Sequence, residues 1–109
     1  MRVRKTRFIE GKLCSIRTAK QVCVYEPSPY TTDYAWFRET LYRTRTGRFF
    51  LVGKGNAASI YRRTTDRNEL APGERWKVLS TEEARAWAEE HCSRAQYEAV
   101  FGGEEKNQN

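Results

Sequence analysis

The feature that most constrains the fold is a pair of strand-like runs in the middle of the chain. Residues 37–45 and 48–52 are rich in aromatic, β-branched and other apolar side chains, and Thr46-Gly47 separates them. Two such runs on either side of a short glycine-containing turn predict a β-hairpin. A two-residue loop sets the register of the hairpin and places four side chains on one face: Tyr42, Thr44, Phe49 and Leu51. It also places Arg45 opposite Arg48, and this self-repelling charge at the tip indicates an anionic contact.

The segments around the hairpin predict further strands and loops. Residues 2–9 are typical of an edge strand that a glycine ends, and residues 75–79 form another brief strand. Residues 12–25 fit a short helix or a strand, and their pattern does not decide between the two. The stretches 53–56 and 64–73 are rich in Gly, Asn, Asp and Pro, so we expect loops there.

Two capping patterns predict two helices near the end of the sequence. Ser80-Thr81-Glu82-Glu83 matches a capping box, and an apolar stripe at helical spacing follows it. The stripe consists of Ala84, Trp87, Ala88 and His91. Ser93-Arg94-Ala95-Gln96 repeats the capping pattern and begins a helix with Tyr97, Val100 and Phe101 on one side. We expect Gly102-Gly103 to end this second helix.

These elements together predict a single α+β domain over residues 1–101. An antiparallel sheet of about four strands is centred on the hairpin at 36–53 and packs on one face against the C-terminal helices, through Trp87. A chain of 109 residues has room for one core. Residues 102–109 have little to bury, so we expect a flexible tail.

The charge of the chain is unevenly divided. The formal net charge is +6, but residues 1–79 carry 17 Lys/Arg against 7 Asp/Glu, whereas residues 80–109 carry 3 against 7. A basic body of this kind attracts polyanions or acidic protein faces. No apolar run has the length of a signal peptide or a membrane span, so we expect a cytoplasmic protein with no membrane partner.

The cysteines and glycines match no metal or nucleotide motif. Cys14, Cys23 and Cys92 are odd in number and form no close pair, so we expect reduced thiols and no disulfide framework. Together with His91 they lack the spacing of a zinc site. Residues 53–59 resemble a phosphate-binding glycine loop, but the glycine spacing fits neither a P-loop nor a dinucleotide fingerprint. We therefore predict no metal and no cofactor.

Basic residues interleaved with aromatic ones are the most informative functional feature. Arginine pairs with phosphate or carboxylate through two parallel hydrogen bonds, and exposed aromatic rings can stack on bases. An equally good interpretation is a solvated sheet face whose aromatic rings turn into the core. The candidate partner-binding residues are Trp36, Arg43, Arg45, Arg48, Lys54, Tyr61, Arg62 and Arg63. Catalytic motifs are lacking, and a cryptic enzyme would have to use Asp33, Glu39 or His91.

Three segments carry a resemblance to a known family. They are residues 39–55, from Glu-Thr-Leu-Tyr through Gly-Arg-Phe-Phe-Leu to Gly-Lys-Gly, then Gly73-Glu74-Arg75, then residues 79–89 with Glu-Glu-Ala-Arg-Ala-Trp. This pattern resembles a family of short proteins found on bacterial phages, plasmids and conjugative elements. The chain departs from the family at Lys54, where relatives have an acidic residue, and over residues 56–58, where relatives have Gly-Pro-Met. The loop that contains Lys54 is therefore positively charged where that of the relatives is negatively charged.

The resemblance implies a binding function and no particular activity. Small proteins of mobile elements often inhibit host machinery, including CRISPR effector complexes. The chain is therefore expected to be a non-catalytic, anti-CRISPR-type inhibitor that binds a host protein or ribonucleoprotein complex, with Arg45, Arg48 and Lys54 as electrostatic anchors and Trp36 or Tyr61 as apolar ones. The alternative is a basic accessory protein that binds nucleic acid directly. Either could act as a monomer or as a homodimer through an edge strand such as residues 2–9.

Overall fold

A computed structural model describes residues 6–107, which form strands in the first three quarters of the chain and helices in the last. The strands are β1 (Thr6–Ile9), β2 (Lys12–Ser15), β3 (Lys20–Tyr25), β4 (Phe37–Arg43), β5 (Phe49–Gly55), β6 (Arg63–Thr64), β7 (Leu70–Ala71) and β8 (Gly73–Leu79). The helices are α1 (Thr81–His91) and α2 (Arg94–Asn107).

The centre of the molecule is a four-stranded antiparallel sheet in the order β3-β4-β5-β8. The α+β prediction and its count of about four strands are therefore confirmed. The ambiguous segment 12–25 forms β2 and β3 rather than a helix. The predicted loop at 64–73 contains most of a small two-stranded hairpin, β6-β7, in whose turn Asn68 takes a left-handed φ of 62°.

The central hairpin exists, but its predicted register was wrong by one residue. The loop has three residues, because Gly47 takes a left-handed φ of 89° after a turn in which its N–H donates to the Thr44 carbonyl at 2.9 Å. Arg43 therefore lies opposite Phe49 instead of Phe50. A shift of one residue exchanges the two faces of a strand. Tyr42 consequently shares a face with Phe50 and not with Phe49.

The sheet is covered on both faces. Leu41, Phe49 and Leu79 pack under the helices, against Ala84 and Phe101 among others. The prediction of a helix-covered face is confirmed, and Trp87 packs against this cluster.

The second cover is the β1-β2 hairpin, which sequence reasoning did not find. Cys14 of this hairpin packs with Phe50, Val52 and Trp76 on the face away from the helices. Residues 6–9 of the predicted strand 2–9 form β1, which pairs with β2 rather than with the edge of the central sheet, and residues 2–5 lie outside the described residues. The β1-β2 turn is two residues long because Glu10 and Gly11 take φ values of 53° and 78°.

Both helix starts are confirmed, whereas the predicted end of the second helix was wrong. Ser80 and Glu83 form the capping box, and Ser93 exchanges the equivalent bonds with Gln96. Helix α2 continues through Gly102 to Asn107, so residues 102–107 of the predicted tail are helical and residues 108–109 lie outside the described part. A glycine costs a helix about 1 kcal/mol but keeps every backbone hydrogen bond, so it need not end one.

A disulfide joins the sheet to the helices, so the prediction of three reduced thiols was wrong. Cys23 on β3 bonds to Cys92, which follows α1 directly. The two residues are 69 positions apart in sequence, and only the packing of α1 over the sheet brings their Cα atoms to 6.0 Å. Cys14 remains a free, buried cysteine, and burial raises the pKa of its thiol.

Candidate functional site

The predicted binding residues lie at the two ends of the central sheet and do not form one site. Arg43, Arg45 and Arg48 surround the β4-β5 turn, and Lys54 lies near the far end of β5. Lys54 lies six positions after Arg48 along an extended segment, which is a distance of about 20 Å. Trp36 precedes β4, at the end of the sheet away from the turn. Tyr61 and Arg62 precede β6, of which Arg63 is the first residue.

The turn end carries a group of four basic residues that we call the turn-end cluster. Its members are Lys20, Arg43, Arg45 and Arg48. Lys20 on β3 lies directly opposite Arg43 on β4. These two cations and Arg45 line a recess of about 270 Å³, together with Thr18, Thr44 and Gly47. No carboxylate lines this recess. Sequence reasoning missed Lys20 because its strand, and hence its cross-strand partner, lay in the ambiguous segment.

The positive charge of the turn-end cluster is not neutralised by the protein. Like charges directly opposite on neighbouring strands destabilise a sheet by up to about 1 kcal/mol. Among the side chains of residues 6–102, no Asp or Glu oxygen comes within 4.0 Å of any of the four basic groups. The guanidinium carbon of Arg43 lies 5.6 Å from the centre of the Phe49 ring, which orients it without cancelling its charge. The cluster can therefore accept an external anion.

The far end of the sheet contains a second basic depression, which we call the Lys54 groove. It has a volume of about 570 Å³ and is lined by Arg7, Trp36, Lys54, Gly55, Asn56, Arg63, Pro72, Gly73 and Glu74. Arg63 is exposed, and its Nε donates to the Pro72 carbonyl at 3.1 Å. Arg62 is also exposed, but it does not line the groove, and its Nη1 donates to the Ser59 carbonyl at 3.1 Å.

Trp36 and Tyr61, the predicted apolar anchors, are buried, so little of either ring is available to a partner. Trp36 is 8% exposed, and its Nε1 donates to Glu26 Oε2 at 2.7 Å. Tyr61 is 9% exposed, and its hydroxyl donates to Glu39 Oε2 at 2.5 Å. Buried polar groups need such partners, and the pairing holds both rings in the body of the protein. Tyr61 cannot stack on a ligand beside Arg62.

The glycines around Lys54 serve packing and not a phosphate loop. Gly53 and Gly55 belong to strand β5, so the predicted loop at 53–56 was wrong for its first three residues. A Cβ at Gly53 would overlap the Tyr61 ring, and a Cβ at Gly55 would overlap the Ser59 hydroxyl. The missing side chains therefore admit the segment that follows β5 onto the sheet.

Two of the three residues considered for a cryptic enzyme, Glu39 and His91, lie near Trp87 of helix α1. Glu39 accepts a second hydrogen bond from Trp87 Nε1 at 2.9 Å, and the ring of His91 lies 5.0 Å from that of Trp87. Burial raises the pKa of Tyr61, and the hydrogen bond to Glu39 raises it further. A phenol with so high a pKa keeps its proton at neutral pH, so this group acts as a hydrogen-bond donor that holds Glu39.

The third residue, Asp33, lies in the loop between β3 and β4. Its Oδ1 accepts from the Ala35 N–H at 2.9 Å, which is a local turn contact. In the part of the chain that the structure describes, no group of three His, Cys, Asp or Glu side chains could hold a metal ion.

Sequence reasoning also missed exposed aromatic residues outside the hairpin. Tyr30 and Tyr34 in the β3-β4 loop are 70% and 78% exposed. Phe8 is 77% exposed and lies opposite Leu13 on the outer side of β1-β2. No pattern singled these residues out, because exposure depends on which side of each element the core covers.

None of the helices in the described range is long and apolar enough to span a membrane. Comparison with protein-family models gave no match, and comparisons with curated proteins and with solved structures gave none either.

Proposed function

We propose that this chain is a non-catalytic binding protein that holds an anionic macromolecular partner at the turn-end cluster. One observation carries the proposal: Lys20, Arg43 and Arg45 line a recess in which no carboxylate balances their charge. A sheet that keeps two like charges opposite each other gives up stability, and an anionic partner would restore it. Association would be fastest at low salt, because the Debye length is only about 8 Å at physiological ionic strength.

The family resemblance extends this proposal to a partner class. We propose that the chain belongs to a mobile genetic element, and that its partner is an acidic face of a host protein or ribonucleoprotein complex. Binding would block that complex by occupancy, as an anti-CRISPR-type inhibitor does, without chemistry on the partner. The family pattern over residues 39–55 includes both strands of the hairpin, on either side of the turn that carries the cluster. This supports a shared use of the hairpin within the family.

The first test is a pull-down of the tagged protein from host lysate, with and without nuclease. A protein complex retained after nuclease treatment supports the proposal. The same experiment with Lys20→Met, Arg43→Met and Arg45→Met combined should lose that complex. Three surface contacts of about 1 kcal/mol each correspond to a loss of affinity on the order of 100-fold.

The matched control combines Arg67→Met, Lys77→Met and Arg94→Met. This variant removes the same charge from exposed positions outside the recess. It should retain the complex nearly as well as the unchanged protein. If both variants weaken binding equally, net charge and not the turn-end cluster attracts the partner, and the proposal fails.

A second candidate function is direct binding of nucleic acid. The observation that favours it is the same uncompensated charge at a protruding turn, which suits a phosphate backbone as well as an acidic protein face. Three phosphate contacts predict that the logarithm of the affinity falls with the logarithm of salt concentration with a slope of about −2 to −3. Binding of the purified protein to an oligonucleotide with that slope, together with loss of retention after nuclease, would favour this function.

A cytoplasmic location is part of the proposal, and the disulfide argues against it. Reducing compartments keep most protein thiols reduced. Alkylation of the protein in intact cells, followed by mass spectrometry, measures the state of Cys23 and Cys92. Alkylated cysteines would support the cytoplasm, whereas a protected pair would indicate an oxidising compartment.

A further inference from the structure

The Lys54 groove has a charge balance of its own, separate from the turn-end cluster. Arg7, Lys54 and Arg63 contribute three positive charges to its lining, and Glu74 contributes the one negative charge. The groove lies on the face of the sheet that carries β1-β2, at the end opposite to the β4-β5 turn. Its net charge of about +2 would suit a ligand that carries two negative charges.

Lys54 lines this groove, and Glu26 is near enough to feel its charge. It lies between Arg38 on β4 and Glu74 on β8 in the strand register. Glu74 is occupied elsewhere, because its Oε2 accepts from Trp76 Nε1 at 2.5 Å and lies 3.8 Å from Arg7 Nη2. Among the described residues, no carboxylate oxygen comes within 4.0 Å of the Lys54 ammonium.

The arginines beside Lys54 have spare hydrogen-bonding capacity. A guanidinium has five N–H donors, and the contact of Arg7 with Glu74 uses at most part of them. The Nε atoms of Arg7 and Arg38 are buried and make no hydrogen bond in the described structure. Arg38 lines an adjoining recess that shares Lys54 and Glu74 with the groove. These two Nε atoms are not exposed to the groove, and Arg38 Nη2 donates to Glu26 Oε2 at 3.4 Å. A ligand in the groove would therefore meet the other guanidinium nitrogens of Arg7, whose side chain is partly exposed.

The groove is an open depression with a volume of about 570 Å³, several times that of a simple anion. It therefore has room for an organic group beside an anion. Gly55 and Gly73 lie opposite each other in the lining, and Ser59 and the Tyr61 carbonyl fill the space that their side chains would take. Asn56 closes one side, and its Nδ2 is held by the carbonyls of Thr31 and Asp33 at 2.8 and 2.7 Å.

From this geometry we propose that the Lys54 groove binds the phosphate monoester of a small phosphorylated molecule. The Lys54 ammonium and the guanidinium groups of Arg7 and Arg63 hold the dianionic phosphate oxygens, and the rest of the groove accepts the organic part. Arginine suits this task because its planar fork matches phosphate oxygens, and lysine acts as a point charge. The proposal does not depend on the proposed function, which uses the other end of the sheet.

The test is a titration of the ¹⁵N-labelled protein with inorganic phosphate and then with phenyl phosphate, at constant ionic strength. We expect saturable shifts of backbone amides at 54–56 and 73–74, with phenyl phosphate binding more tightly. Lys54→Met should weaken binding at least tenfold. The matched control is Lys77→Met, an exposed lysine on β8 that does not line the groove, and it should change affinity less than twofold.

Protonation of the phosphate provides a second readout. The second pKa of a phosphate monoester is about 6, so affinity should fall when the pH is lowered from 7.5 to 5. Shifts that sodium chloride reproduces, or an affinity that Lys54→Met leaves unchanged, would overturn the proposal. The well-dispersed spectrum of each variant verifies its fold. The triple variant of the turn-end cluster should bind phosphate normally, which separates failure of this site from failure of the proposed function.

Discussion

Reduction of the Cys23–Cys92 disulfide should remove a large part of the stability of this domain. The bond joins β3, an edge strand of the central sheet, to the end of α1. Without it, the helices would be held to the sheet only by packing and by isolated polar contacts such as the bond from Trp87 to Glu39.

The size of the effect follows from the length of chain that the disulfide closes. The two cysteines are 69 residues apart, which is most of the described chain. A loop of that length loses enough entropy in the unfolded state for the bond to contribute about 4 kcal/mol. Small domains have only about 5 to 15 kcal/mol in total. Reduction should therefore lower the melting temperature on the order of 20 °C.

The assay is urea unfolding of the unchanged protein and of Cys92→Ser, each with and without a phosphine reductant. The unchanged protein should lose its extra stability on reduction, whereas Cys92→Ser should be insensitive to the reductant. The denaturant dependence of the unfolding free energy should rise on reduction, because the unfolded chain becomes less compact. Equal stability with and without reductant, in protein shown to carry the bond, would refute the reasoning.

Three further predictions concern the packing and the ends of the elements. Gly53→Ala should destabilise the domain by about 1 to 3 kcal/mol in urea unfolding, because a Cβ overlaps the Tyr61 ring. Combined with Tyr61→Leu, it should cost less than the sum of the two changes, and strict additivity would contradict the overlap. Ser80→Ala should cost about 1 kcal/mol in the same assay through loss of the α1 cap, and an unchanged midpoint would contradict the capping box. The backbone N–H of Ser80 lowers the pKa of Glu83, so this carboxylate contributes stability above about pH 4 that is lost as the pH falls through its lowered pKa. Glu83→Gln should therefore be less stable than the unchanged protein at pH 7 and about equally stable at pH 2, as unfolding curves at both values would establish.

Features that depend on neighbours in the chain could be predicted from the sequence. Both helix starts were predicted because a capping box joins residues only three positions apart. The stripe from Ala84 to His91 was predicted because helical spacing alone puts these side chains on one face. The central hairpin was predicted because its two strands are adjacent in sequence. Only the length of its loop, three residues instead of two, was predicted wrongly.

The candidate site could be predicted only in part. The basic residues at the turn were predicted because they surround a local turn signal, and their role in binding remains a prediction. Lys20 was missed because its charge matters only opposite Arg43, on a strand whose existence the local pattern left open. The pattern left open whether Trp36 and Tyr61 face a partner or the core, and hydrogen bonds to distant carboxylates hold them in the interior.

The sequence by itself thus determined the fold class, the two capped helices and the concentration of positive charge at the central turn. Each of these depends on residues that are close together in the sequence. Only the tertiary structure decided which face each strand buries, which cysteines meet, and that the basic residues separate into a turn-end cluster and a Lys54 groove. These outcomes depend on strand register and on contacts between residues as far apart as 69 positions. A change of one residue in register reverses the direction of every side chain on a strand, and no local pattern carries that information.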